Sequence, residues 1–194
     1  MTSPLVSENL FDFFNGRLAE VSAQQRAGLS KDAHIYLANM LVELADPQRI
    51  QGGEEPPTLA DMHLRAANSP PELALRRYKE LGDYALYMGG YFGDSLERKI
   101  VGVEYYADMG GSAFHRVAGL SAVTGHLAQL RELFRELACT FRACLGVLAQ
   151  VSDQGREKRS EDLGRLYERW LTTGDPHTHA RLLALGVVPT KPTE

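Results

Sequence analysis

The sequence predicts an all-α fold, an irregular bundle of eight or nine helices around one long central helix at about 121–151. Three observations lead there. Apolar residues recur at spacings of three and four, which puts them on one face of a helix. Most of those stripes open on a capping residue and close on glycine or proline. No segment sustains the two-residue alternation with branched side chains that strands favour. Apolar residues make up 44% of the 194 and charged residues 24%, enough to build a core and to exclude wholesale disorder.

Ser7 can cap a first helix to about Gln25, with Leu10, Phe14, Leu18 and Val21 inward and Gly28 as its stop. Ser30 caps a second, with Ala33, Tyr36, Leu37, Met40, Leu41 and Leu44 inward, ended by Pro47. Gly52-Gly53 and Pro56-Pro57 mark a flexible loop over about 48–57. Thr58 and Asp61 have capping-box spacing, so a short helix should follow to about Ala67. Ser69-Pro70-Pro71-Glu72 offers a cap, an early proline and an acid for a helix carrying Leu73, Leu81, Tyr84, Ala85 and Met88 inward, closed by Gly89-Gly90. Asp94 and Glu97 begin another, interrupted at Gly110-Gly111, with a short piece to about Ala118. Ser160 opens a helix with Leu163, Leu166, Tyr167, Trp170 and Leu171 inward, stopped by Gly174. Asp175-Pro176 starts the last, which ends at Gly186 and Pro189. One helical domain over 1–189 and a loose tail over 190–194 are expected.

The long helix should begin at Ser121. Leu127, Leu130, Phe134, Leu137, Phe141, Cys144, Leu148 and Val151 alternate spacings of three and four, the seam of a heptad pattern. Leu133 and Leu145 widen that seam, which suits burial among several neighbours better than a single coiled-coil partner. Self-association through this face is the alternative, so a homo-oligomer stays open.

Several functions lack their parts. Net charge is −4, so a broadly basic nucleic-acid binder is excluded. The first residues, Met1-Thr2-Ser3-Pro4, lack the basic start and apolar run of a secretory signal, and no stretch approaches the roughly 18 apolar residues of a membrane span. Neither nucleic acid nor membrane is expected as a partner, and the expected compartment is the cytoplasm. Cys139 and Cys144 point about 140° apart on a helix, which argues against a disulfide and for two buried thiols. Gly110-Gly111-Ser112-Ala113-Phe114 begins like a nucleophile elbow, but Phe114 replaces its second glycine and no strand precedes it. The six histidines form no Glu-x-x-His pair and no His-Glu-x-x-His zinc helix. Asp175, His177 and His179 are better read as a cap and a first turn. No phosphate-cradling loop or dinucleotide motif occurs. No catalytic residue, metal or cofactor is expected.

The middle of the chain is unusual. Six of eight tyrosines lie between Tyr78 and Tyr106, and nine of eighteen glycines between Gly82 and Gly125. Each helical glycine costs about 1 kcal/mol relative to alanine, so their concentration needs a geometric reason. Close helix approach is one; a tyrosine-lined pocket is the other. Tyr84, Tyr87, Tyr91, Arg98 and Tyr105 are the candidate ligand- or partner-binding residues, with Arg98 as a forked donor for a carboxylate or phosphate. Asp83 follows Gly82 and has no placement from sequence.

Gly82-Asp83-Tyr84-Ala85-Leu86, Tyr105-Tyr106 and Gly110-Gly111-Ser112-Ala113 resemble segments of a group of uncharacterised proteobacterial helical proteins. So do Leu166-Tyr167-Glu168-Arg169-Trp170-Leu171, Thr173-Gly174 and Gly186-Val187-Val188-Pro189. The resemblance implies a helical fold and no particular activity or ligand. The expected function is a non-catalytic cytoplasmic interaction or regulatory protein with a protein partner. The other reading is a helical small-molecule binder, or an enzyme, with its pocket in 78–115.

Overall fold

The computed structural model describes residues 4–44, 57–92, 102–123, 128–173 and 175–188. Among these residues there are eight α-helices, one π-helical turn and no strand. The α-helices are α1 (Pro4–Gln25), α2 (Lys31–Leu44), α3 (Leu59–Ala67), α4 (Pro71–Leu86), α5 (Val103–Val123), α6 (Ala128–Cys139), α7 (Phe141–Thr173) and α8 (Pro176–Ala184). The π-helical turn spans Tyr87–Tyr91, directly after α4. The protein is an all-α multi-helix bundle. None of its helices, among the described residues, is long and apolar enough to cross a membrane.

Local signals act as the sequence dictates at several helix ends. The Ser30 hydroxyl accepts from the Ala33 amide at 3.1 Å and opens α2. Thr58 accepts from the Asp61 amide and donates to the Asp61 carboxylate, which opens α3. Asp175 accepts from the amides of His177 and Thr178 and opens α8. The end of α8 is a Schellman closure: Gly186 sits at φ +79°, and the amides of Gly186 and Val187 bond to the carbonyls of Leu183 and Leu182. The same closure ends α1, but its left-handed residue is Arg26, at φ +54°, two positions before the expected stop at Gly28.

Other boundaries differ from the sequence reading. Gly110-Gly111 does not interrupt α5, which runs unbroken to Val123 and contains Ser121 as an interior residue. Ser121 donates to the Val117 carbonyl instead of capping a helix. The stripe expected on one helix over about 121–151 is carried by α6 and α7, which meet at Thr140. There the threonine hydroxyl donates to the Glu136 carbonyl at 2.8 Å, sharing that acceptor with the Thr140 amide. Helix α7 then passes Val151 and Ser160 without a stop. Ser69 bonds the Arg65 carbonyl and so finishes α3, while Pro70, without a side-chain bond, precedes α4. Most of the loop at 48–57, the helix start at Asp94 and the tail at 190–194 lie outside the described residues.

The chain divides into two compact units, Met1–Val151 and Ser152–Glu194. In the first, α5 packs most extensively, against both α4 and α6. Phe114 of α5 is fully buried at the centre. Its ring meets Tyr36 of α2 at 6.0 Å, Phe134 of α6 at 5.2 Å and Phe141 of α7 at 5.6 Å. The heptad stripe is interior: Phe134, Leu137, Phe141, Cys144, Leu148 and Val151 are all buried. Leu73 is not inward as expected but 41% exposed, being on the first turn of α4. In the second unit, Trp170 packs beside Tyr167 and His179, and Leu182 is fully buried. Leu171, expected inward, is exposed, because the residue after Trp170 is rotated about 100° around the helix.

Candidate functional site

The buried glycines explain how the tyrosine-rich middle is built. A Cβ on Gly82 would collide with the Phe114 ring, and one on Gly110 with the Phe141 ring and the Ala85 Cβ. On Gly89 it would lie 2.9 Å from the Tyr106 Cβ, and on Gly90 2.8 Å from the Leu148 Cβ. Each glycine is therefore a seat for a side chain of another helix. Losing about 1 kcal/mol of helix propensity at such a seat is offset by burying a large ring, worth about 1.5–3 kcal/mol.

Gly89 and Gly90 also lie in the π-helical turn. The Phe92 amide reaches back five residues to the Tyr87 carbonyl at 3.2 Å, the bond that defines this wider turn. One consequence is that Tyr87 and Tyr91, four apart, stack with centroids at 5.9 Å and planes within 3°. Phe92 lies edge-on to both, at 5.0 and 5.5 Å. Phe14 of α1 meets Tyr91 at 6.4 Å, and Phe13 follows at 5.5 Å from Phe14. The row Phe13–Phe14–Tyr91–Tyr87–Phe92 is buried at Phe14, half-buried at the tyrosines and open at its ends: Phe13 is 48% and Phe92 40% exposed. The Tyr87 hydroxyl donates to the Leu44 carbonyl at 3.3 Å, at the last residue of α2.

The five expected site residues do not form one groove. Tyr87 and Tyr91 come together in this row. Tyr84 is half-buried, and burial first, then its electrostatic interaction with Tyr106, raises its hydroxyl above the ordinary range. Burial likewise raises Tyr87 and Tyr106, each assisted by a neighbouring tyrosine. Tyr105 is 37% exposed and lies edge-on to Tyr106 at 6.0 Å. Arg98 lies outside the described residues. Phe13, Phe14 and Phe92 were missed, because the row joins α1 to the π turn across more than seventy residues of sequence.

A second polar arrangement lies between α2 and α4. The Asp83 carboxylate accepts from the Tyr36 hydroxyl at 2.5 Å and from the Lys79 ammonium at 2.7 Å. Lys79 also lies over the Tyr36 ring, 5.2 Å from its centroid. The Asp83 side chain is only 13% exposed, and burial raises its carboxyl above the ordinary 3.8. Lys79 and the two hydrogen bonds oppose that rise, and Glu43 adds to it. Burial first, then Asp83, holds the Tyr36 hydroxyl well above its usual value of 10.0. Asp83 is thus an interior acid tied to a neighbouring helix. The Lys79–Asp83 spacing of four was legible in the sequence; the Tyr36 partner was not.

The remaining reactive groups are separate. Cys139 is exposed, not buried as expected, whereas Cys144 is buried and its thiol is pushed up to about 11. Ser112 and His115 are both exposed on α5. Among the described residues, no three His, Cys, Asp or Glu side chains group as a metal site. No protein-family model, no curated protein and no solved structure matches the chain.

Proposed function

We propose that this chain is a cytoplasmic, non-catalytic interaction or regulatory protein that docks a protein partner, and that it belongs with the bacterial helical proteins its sequence resembles. One observation carries the reading. The glycine seats in the tyrosine-rich middle are occupied by Phe114, Phe141, Tyr106 and Leu148, while the aromatic row ends in exposed Phe13 and Phe92. A binder that encloses a small molecule needs room between its helices. An interaction module needs a filled interior and apolar rings at its surface. Tyr87 and Tyr91 then serve as the rigid backing of the exposed rings rather than as pocket walls.

The test is site-directed photo-crosslinking in the host cell. A benzophenone-bearing phenylalanine analogue at Phe92 should give a discrete adduct that Phe13→Ser abolishes while the melting temperature stays unchanged. The same analogue at exposed Ala67 is the control. Adducts at Phe92 no different from those at Ala67 would refute docking at this row. Light scattering of the purified protein separates a second copy of the chain from a different partner.

A further inference from the structure

We propose that the α3–α4 hairpin carries a binding site for a small zwitterion, a free α-amino acid with an apolar side chain, held between Arg65, Arg77 and Glu80. The site lies apart from the aromatic row and does not depend on it. A groove of about 290 Å³ runs along the hairpin, lined by Pro57, Met62, Arg65, Arg77 and Glu80. Helix geometry gathers these residues: Met62 and Arg65 are three apart on α3, and Arg77 and Glu80 are three apart on α4.

Arg77 is held in place. One guanidinium nitrogen donates to the Arg65 carbonyl at 3.0 Å and to the Ser69 hydroxyl at 2.7 Å, while Ser69 itself donates to the Arg65 carbonyl at 2.6 Å. Those bonds finish the end of α3 and fix the guanidinium with donors to spare, since arginine carries five. Preorganised arginine forks suit carboxylates, which they bind through paired hydrogen bonds. The Arg65 side chain lines the same groove and is exposed. Two cations side by side repel unless an anion joins them. Yet among the described residues none of Arg65, Arg77 and Glu80 forms an ion pair. Among the described residues, the groove therefore presents two positive groups and one negative group without an ion-pair partner, around an apolar lining of Pro57 and Met62.

The complement of that pattern is a carboxylate for the arginines, an ammonium for Glu80 and an apolar body for Met62 and Pro57. A free amino acid combines all three. The volume lies near the lower end of the range for small-molecule sites, about 300–1,000 Å³, so a larger metabolite would protrude. Glu80 disfavours inorganic phosphate, whose charge it repels.

The test titrates the whole protein with L-leucine and follows backbone amide shifts by NMR. N-acetyl-L-leucine, L-leucinamide and inorganic phosphate are compared. Arg65→Gln and Glu80→Gln are the variants of choice, since both side chains are exposed and their loss leaves the Arg77 bonds in place. Saturable shifts confined to the hairpin with L-leucine, weakened about tenfold or more by either variant and by blocking either end of the ligand, are the expected result. Phosphate matching L-leucine, with Glu80→Gln without effect, would reduce the groove to an anion site and overturn the zwitterion. So would the absence of any saturable shift, or wild-type binding in both variants.

Discussion

Removal of the Asp83 carboxylate tests the interior of the bundle most directly. In Asp83→Ala the Tyr36 hydroxyl loses its acceptor. A hydrogen bond to a charged group contributes about 1.5–3 kcal/mol. The Lys79 pair adds less than about 1 kcal/mol, because the ammonium is solvated and screened; its side chain is 40% exposed. Release of a buried charge opposes both losses, leaving a net cost of about 2 kcal/mol at neutral pH. For a protein of this size that lowers the melting temperature by roughly 4–8 °C. The pH dependence is more diagnostic. Asp83 has a folded pKa raised above 3.8, so between that value and the raised one the folded state binds more protons than the unfolded state. Its contribution to stability is full below 3.8 and falls as pH rises through the folded value. Asp83→Asn, which keeps the shape and does not titrate, should remove this slope. The assay is thermal and urea denaturation of wild type, Asp83→Ala and Asp83→Asn from about pH 3.5 upward. A wild-type minus Asp83→Asn difference that stays constant with pH, or an Asp83→Ala melting point within about 1 °C of wild type, would refute the reasoning.

Phe141→Ala should cost about 3–5 kcal/mol, read as a lower denaturation midpoint, because the ring is fully packed against Phe114 and the Gly110 seat. Two glycines of α5 should respond oppositely to alanine. Gly119→Ala, with nothing within 4 Å of the new Cβ, should stabilise by about 1 kcal/mol, whereas Gly110→Ala should lower the melting temperature through its clash with Phe141. Arg26→Gly should stabilise by up to about 1 kcal/mol, since it relieves a left-handed backbone at the end of α1. A thiol reagent at pH 8 should label Cys139 in the folded protein and leave Cys144 unlabelled until denaturant is added, because Cys144 is buried with its thiol at about 11.

Sequence alone determined the parts governed by local interactions. The caps at Ser30, Thr58 and Asp175 and the reversal at Gly186 depend on residues within one turn of each other, so their chemistry is written in short stretches. The buried stripe from Phe134 to Val151 was legible for the same reason, since helical periodicity places those residues on one face whatever packs there. Tertiary structure decided what depends on distant partners. Gly110-Gly111 reads as a break by propensity, yet α5 continues through it because the Phe141 ring fills the space a side chain would take. Asp83 is indistinguishable from a surface acid until α2 brings the Tyr36 hydroxyl to it. Tyr84, Tyr87, Tyr91 and Tyr105 look like one group along the chain. The π-helical turn stacks Tyr87 on Tyr91 beside Phe14, while Tyr105 lies edge-on to Tyr106. Propensity acts over three or four residues, whereas the fit between rings and glycine seats exists only once the helices have packed.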